Sequence, residues 1–335
     1  MIKKLGYIDH SFHKKTESTD FLRDILREHF DVIDIWDESW NGGASPSVEY
    51  INSQNFDHVL FFQSLLPIRE LKKIKAKIIW VPMYDGVIGR GKSFWMELST
   101  IKIKIISFSN ALSVKLKENS LDVINVKYFP NPNNFKKVLD FSGKKIFFWQ
   151  RTKLSVLNVK KIIGKQKIDQ LILKLDPDPG HKPIFPSEYD IKKYNIKIIQ
   201  GFLSKGEYMK MLSGSNIFVS PRKFEGIGMS FIEAMAMGLA VIAFDNPTMN
   251  EYITHNKNGY LFHSRWKRKI DLSNFEEVGE NAREYCEDGF KDWENDKSKI
   301  IEFINSKYKP AIKLDFIEFL YVKILGAVYD FIKNA

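Results

Sequence analysis

The chain is short of the residues that staple small domains or build metal centres. One cysteine, Cys286, occurs in 335 residues. No disulfide framework and no cysteine-ligated metal site can therefore form within one chain. A lone thiol suits a reducing compartment. No run of 18 or more apolar residues occurs, which predicts no transmembrane helix. The opening MIKKLGYIDHSFHKK lacks an apolar core of signal-peptide length, so a cytoplasmic location is expected. The seven histidines show no metal-ligand spacing. Short-period repeats and low-complexity tracts are also missing.

What is present is ordinary for a globular protein: 44% hydrophobic and 27% charged residues. The length allows two domains. The net charge is +10, which nucleic acid, an anionic membrane surface or phosphate-bearing substrates would each explain. The basic residues are spread along the chain and no nucleic-acid motif accompanies them, so nucleic acid is not an expected partner.

Short apolar runs alternate with amphipathic ones. The predicted strands are 4-KLGYI-8, 31-DVIDIW-36, 57-DHVLFF-62, 76-AKIIWV-81, 102-KIKIISF-108 and 124-INVKYF-129. Segments such as 19-TDFLRDILREHF-30 have helical spacing. After the turn-rich 130-PNPNNF-135, a second series follows: 144-KKIFFW-149, 168-IDQLILKL-175, 196-IKIIQGF-202, 216-NIFVSP-221 and 239-LAVIAFD-245. Such alternation predicts βαβ units and parallel sheets. Two units predict a cleft, with ligands at the C-terminal strand ends.

The stretch 86-GVIGRGKS-93 fits G-x-x-x-x-G-K-[ST], the phosphate-cradling loop of nucleotide hydrolases, and AKIIWV precedes it. A P-loop needs a helix behind it, and only about ten residues separate Lys92 from the next strand. It also needs a nearby apolar strand ending in Asp to hold Mg²⁺. The candidate, 239-LAVIAFD-245, lies in the other series.

The most informative segment is 221-PRKFEGIGMSFIEAMAMGLAVIAFDNPTMNEYITHNKNGYLF-262. A strand ends at Pro221, a loop holds Gly226 and Gly228, and a helix is predicted from Met229 to Met237, with Gly238 as its stop. The glycines let backbone amides approach a ligand. The helix N-terminus favours an anion such as a diphosphate. Glu225 and Glu233 flank this turn, eight residues apart.

This pattern, from Glu225-Gly226-x-Gly228 through Glu233-Ala234-Met235-Ala236 to 258-NGYLF-262, resembles the E-x7-E segment of the retaining glycosyltransferases of family GT4 (glycosyltransferase group 1). A weaker resemblance includes 107-SFSNAL-112, 128-YFPNP-132 and 289-GFKDWENDKSKIIEFI-304. It implies the α/β GT-B fold, two Rossmann-like domains facing a central cleft. The expected division is 1–138 (acceptor side), 139–310 (nucleotide-sugar side) and a C-terminal helix, 311–335.

The resemblance implies that Glu225 contacts donor-sugar hydroxyls and Glu233 the nucleotide ribose. The backbone of Gly226, Ile227 and Gly228 helps hold the donor, and Arg151 neutralises the diphosphate. The family's Lys six residues later is absent, because position 157 is Leu. Lys153, Lys160 or Lys161 would have to replace it. On the acceptor side the expected residues are Asp85, His13 and Arg90. The implied donor is a UDP- or GDP-sugar, with no cofactor and no metal. The implied acceptor is a glycan or lipid-linked molecule, in the setting of bacterial surface polysaccharide. Asp176 and Asp178 in 175-LDPDPG-180 form a D-x-D that reads as a proline turn. The aromatic-rich 314-LDFIEFLYVKILGAVYDFIK-333 reads as a packed helix or a segment touching the inner face of a membrane. Two other readings stand beside this one: a P-loop nucleotide hydrolase, and a catalytically silent glycosyltransferase-like binding protein.

Overall fold

The structure is a computed structural model and describes residues 2–263, 269–322, 324 and 325. The chain divides into two units, one of residues 1–126 with 295–335 and one of 127–294. The strands of the first are Lys4–His10 (β1), Asp31–Asp37 (β2), His58–Phe62 (β3), Lys77–Val81 (β4), Ile103–Ser107 (β5) and Asp122–Asn125 (β6). They form one sheet in the order β2-β1-β3-β4-β5-β6, parallel throughout. β3 and β5 are buried at every residue, as expected where helices cover both faces of a parallel sheet.

The second unit holds Lys145–Gln150 (β7), Gln170–Leu175 (β8), Ile196–Ile199 (β9), Ile217–Val219 (β10), Ala240–Phe244 (β11) and Tyr260–Phe262 (β12). Its sheet runs β12-β11-β10-β7-β8-β9, again all parallel. Read from the β9 edge this is the doubly wound order 3-2-1-4-5-6, and the order reverses between β7 and β10. Ligands bind at such reversal points, beyond the C-terminal strand ends. In the first sheet the reversal lies between β1 and β3.

The division by contacts differs from the expected one. It falls before Lys127 rather than after Val138, and residues 295–310 join the first unit. Both shifts have contacts behind them. Lys127 Nζ donates to the Glu251 carbonyl at 2.5 Å and to Tyr285 Oη at 3.1 Å. The Tyr252 hydroxyl donates to the Tyr128 carbonyl at 3.1 Å. Residues 127–129 thus belong to the second core, and β6 ends at Asn125, earlier than its apolar pattern predicts. At the other boundary, Lys104, the second residue of β5, is 1% exposed. Its ammonium is satisfied by Asp122 at 3.3 Å and Ser306 Oγ at 2.6 Å, under the Phe303 ring. The end of the long helix Phe275–Asn305 is therefore tied to the first sheet.

The C-terminal stretch is helical from Phe316 to Val322. Asp315 and Glu318 cap its start reciprocally, each backbone N–H donating to the other's carboxylate, at 3.1 and 2.8 Å. Val322 packs inward, while Phe316 and Ile317 are 78% and 77% exposed. Residues 326–333 of this stretch lie outside the described residues. No helix among the described residues is long and apolar enough to cross a membrane.

Candidate active site

At the reversal point of the second sheet, β10 ends at Val219 and the chain turns through residues 222–228 into the helix Met229–Ala236. Gly228 opens this helix at φ +83°, a left-handed conformation that costs an L-side chain about 1–2 kcal/mol. A Cβ there would also lie 1.9 Å from Cε1 of the buried Phe231. Glycine is thus required twice over. The Phe231 and Ile232 amides close back on the Gly228 carbonyl at 3.1 and 3.2 Å, so the anion site that a helix start offers falls to the amides of Met229 and Ser230. Ile227 is buried, and its carbonyl accepts from Thr248 Oγ1 at 3.3 Å, which pins the turn.

The two carboxylates fall on either side of this turn. Glu225 is 6% exposed, and its backbone N–H donates to the Pro247 carbonyl at 3.4 Å. Glu233, half-buried by surface area, is deeply surrounded by protein atoms. Loss of water pushes its pKa up to about 7, partly opposed by the positive charge of Lys205. The Tyr208 ring packs on Phe147 and Trp149 at 5.7 and 5.9 Å. Its hydroxyl is buried with no hydrogen-bond partner among the described residues. Burial chiefly raises its pKa, and it feels the charges of Glu233, Arg151 and Glu225. Tyr208 and Lys205, on the helix Lys205–Ser213, belong to no motif that the sequence analysis singled out.

The cations are arranged differently from the expected pattern. Arg151 follows β7 directly and donates from Nε to Asp178 Oδ1 at 2.9 Å. Its guanidinium lies 4.9 Å from the centre of the Trp149 ring. Arg222 holds the other oxygen of the same carboxylate, from Nε at 3.1 Å and Nη2 at 2.6 Å. Its Nη1 is 3.7 Å from Glu225 Oε2. Lys160 is paired with Asp190 at 2.6 Å. Lys153 is exposed and has no ion-pair partner among the described residues. Asp176 pairs with Lys174 and accepts from the Gly201 amide at 2.9 Å. Both carboxylates of the D-x-D are therefore spent on protein donors.

In the first unit, 86-GVIGRGKS-93 is not an open phosphate loop. Gly86 lies inside a helical turn, Tyr84–Val87, and none of Gly86, Gly89 and Gly91 has a positive φ. The helix behind it, Lys92–Leu98, has seven residues. Asp85 accepts from the Gly86 amide at 3.0 Å, and Arg90 stacks over Phe94 at 5.0 Å. His13 hydrogen-bonds Asp9 Oδ1 through Nδ1 at 2.6 Å.

The expectation that no histidines group for a metal needs correction. Asp9, His10 and His13 bring ligand atoms within 4.8 Å of one another. His10 Nδ1 is buried with no hydrogen-bond partner among the described residues, and burial and His13 lower the His10 pKa. Asp9, however, also accepts from Thr19 at 2.8 Å and from Arg23 at 3.1 Å. A guanidinium on the only carboxylate opposes a second cation there.

With this geometry in view, comparison places the fold. Solved chains matching this one number 147. A sucrose-phosphate synthase from Thermosynechococcus elongatus superposes with a TM-score of 0.63 at 14% identity, over 90% of this chain and 98% of that one. HepE from Anabaena, solved with UDP and glucose, gives 0.57 at 13% identity, over 91% and 100%. A glycosyltransferase from Rickettsia africae gives 0.59 at 14% identity, over 91% and 100%. At these identities the likeness concerns architecture: the chain has the two-sheet GT-B fold. The family model "Glycosyl transferases group 1" matches residues 187–287, under a third of the chain. That segment contains Glu225, Glu233, the glycine turn and Arg222, but not Arg151 or Asp178. No curated protein matches the chain in sequence.

Proposed function

We propose that this protein is a glycosyltransferase that moves a sugar from a nucleotide-diphospho-sugar to a glycan or lipid-linked acceptor, with retention of configuration. The observation that carries the reading is the set at the reversal point of the second sheet. Two arginines, a glycine turn at a helix N-terminus and two flanking carboxylates gather where a doubly wound sheet binds ligands. The group 1 segment and the GT-B fold support it. HepE was solved with UDP and glucose, and the pneumococcal O-GlcNAc transferase GtfA, a second neighbour of the same architecture with a TM-score of 0.54, with UDP and GlcNAc. A UDP-sugar is therefore the first donor to test, and a GDP-sugar the second.

In this reading the bond between the sugar C1 and the leaving phosphate oxygen breaks toward an oxocarbenium-like state. Charge grows on the diphosphate, so Arg151 and the helix amides stabilise the transition state more than the ground state. Glu225 holds hydroxyls of the sugar. The acceptor oxygen attacks the face the diphosphate leaves, and the diphosphate takes its proton. The cations are supplied by side chains, so the reaction is proposed to need no metal. Glu233, ionised, accepts hydrogen bonds from the ribose.

The net charge of +10 and the exposed apolar face of the C-terminal helix, Phe316, Ile317 and Leu320, favour work at the cytoplasmic face of a membrane on a surface-polysaccharide precursor. Flotation with anionic vesicles tests this point; full recovery of protein in the soluble fraction would count against it.

The main test is thermal stabilisation by UDP and GDP, against ATP with Mg²⁺. A nucleotide at 100 times its dissociation constant adds about 2.7 kcal/mol. Glu233→Ala is expected to lose about 1.5–3 kcal/mol of that binding. Stabilisation by ATP alone, abolished in Lys92→Ala, would sink the reading in favour of a nucleotide hydrolase. Binding with neither transfer nor donor hydrolysis would make the protein a silent binder.

A further inference from the structure

We infer that Arg222 is the second diphosphate-binding cation of this chain, working as a pair with Arg151. The inference rests on the reading of the second unit as a nucleotide-diphosphate site. It starts from strand register. β7 and β10 are hydrogen-bonded neighbours, with Phe148 opposite Val219. Arg151 lies three residues beyond Phe148, and Arg222 three residues beyond Val219. Neighbouring strands run about 4.8 Å apart, so equal offsets deliver the two guanidiniums side by side. They do so at the point where the sheet order reverses.

Two cations so close repel each other unless an anion lies between them. Asp178 supplies one, with Oδ1 on Arg151 and Oδ2 on Arg222. Two oxygens of one carboxylate, each taken by a guanidinium, mimic what two phosphate oxygens offer to the same pair. The three side chains keep water access, at 27%, 26% and 23% exposed for Arg151, Arg222 and Asp178. A more highly charged diphosphate can therefore reach the clamp.

The other cations near Arg151 are less suited. Position 157 is an uncharged Leu, 54% exposed. Lys160 is committed to Asp190. Lys153 is exposed and has no ion-pair partner among the described residues. Arg222 lies 71 residues from Arg151 in sequence, and only the register puts it beside Arg151.

The test measures the ratio of UDP to UMP affinity by calorimetry, or of GDP to GMP if the guanine nucleotide is the one bound. Arg222→Gln is expected to lower that ratio about tenfold or more, with UMP affinity changed less than about twofold. Arg222→Lys should fall between, because a point charge cannot fork. Adding Leu157→Lys to Arg222→Gln should recover part of the loss. Should the single variant misfold, Asp178→Asn with Arg222→Gln removes the orphaned carboxylate and reads the same ratio. An unchanged ratio overturns the inference and leaves Arg222 as a mere partner of Asp178. If the unmodified protein binds neither diphosphate, the parent reading fails instead, and the clamp with it.

Discussion

In the first sheet the strand order reverses between β1 and β3, and the residues gathered there are Asp9, His10 and His13, among Phe12, Trp40 and Phe62. In the second sheet it reverses between β7 and β10, and Arg151 and Arg222 meet there on Asp178. The first place is electrically closed. Asp9 is shared by His13, Thr19 and Arg23, and Arg23 also holds Asp34 at 2.8 Å. Its exposed surface is aromatic, with Phe12 and Trp40 41% and 45% exposed. Rings of this kind suit an uncharged, hydroxylated ligand with apolar faces. The second place holds two guanidiniums on one partly exposed carboxylate and opens onto a helix N-terminus. The same doubly wound plan thus presents one neutral and one anion-seeking edge, and what lies beyond the strand ends decides which.

The sharpest way to break the comparison is at the glycines. Gly228→Ala is expected to cost about 2–4 kcal/mol, combining left-handed strain with overpacking on Phe231, and to abolish nucleotide stabilisation. Gly89→Ala in the first unit meets nothing within 4 Å and should change stability by less than about 0.5 kcal/mol. Chemical denaturation of both variants checks the contrast.

Next in size is a pH effect. Burial raises the Glu233 pKa from 4.5 to about 7, so between those values the folded chain binds more protons than the unfolded one. Its contribution therefore makes stability fall as pH rises through this window, and Glu233→Gln should flatten that slope. Nucleotide affinity should move the other way, because the ribose is held by the ionised form. UDP is expected to bind about tenfold more weakly at pH 6 than at pH 8, a dependence that Glu233→Gln removes beyond what the nucleotide's own ionisation gives.

A smaller effect sharpens the division of labour. His13→Ala and Trp40→Ala should leave the UDP dissociation constant within about twofold of the unmodified protein. A larger change in calorimetry would mean that the two edges are not independent. Smallest of all, Cys286 is fully buried and burial pushes its thiol pKa up. A thiol reagent should therefore label it only at the rate of unfolding.

Much of the architecture was legible because each strand is a short apolar run bounded by turn residues. The glycine turn and the two glutamates were legible because they form one continuous motif. What escaped the sequence has physical causes. β12 is three residues long, too short for a pattern. Lys127 to Phe129 continue an apolar run, yet they pack against Tyr252 and Tyr285. Lys160 is near Arg151 along the chain, but its side chain reaches Asp190 instead. Arg222 and Asp178 lie 71 and 27 residues from Arg151 in sequence, so only strand pairing brings the three together.

The central claim is that the second sheet's reversal point holds a nucleotide diphosphate. Calorimetric titration of UDP and GDP in the presence of EDTA, into the unmodified protein and into Arg151→Gln, tests it most directly. The account predicts saturable one-to-one binding of one of the two that survives the chelator and weakens about tenfold in the variant. Binding of neither nucleotide, or equal binding by both proteins, would contradict it.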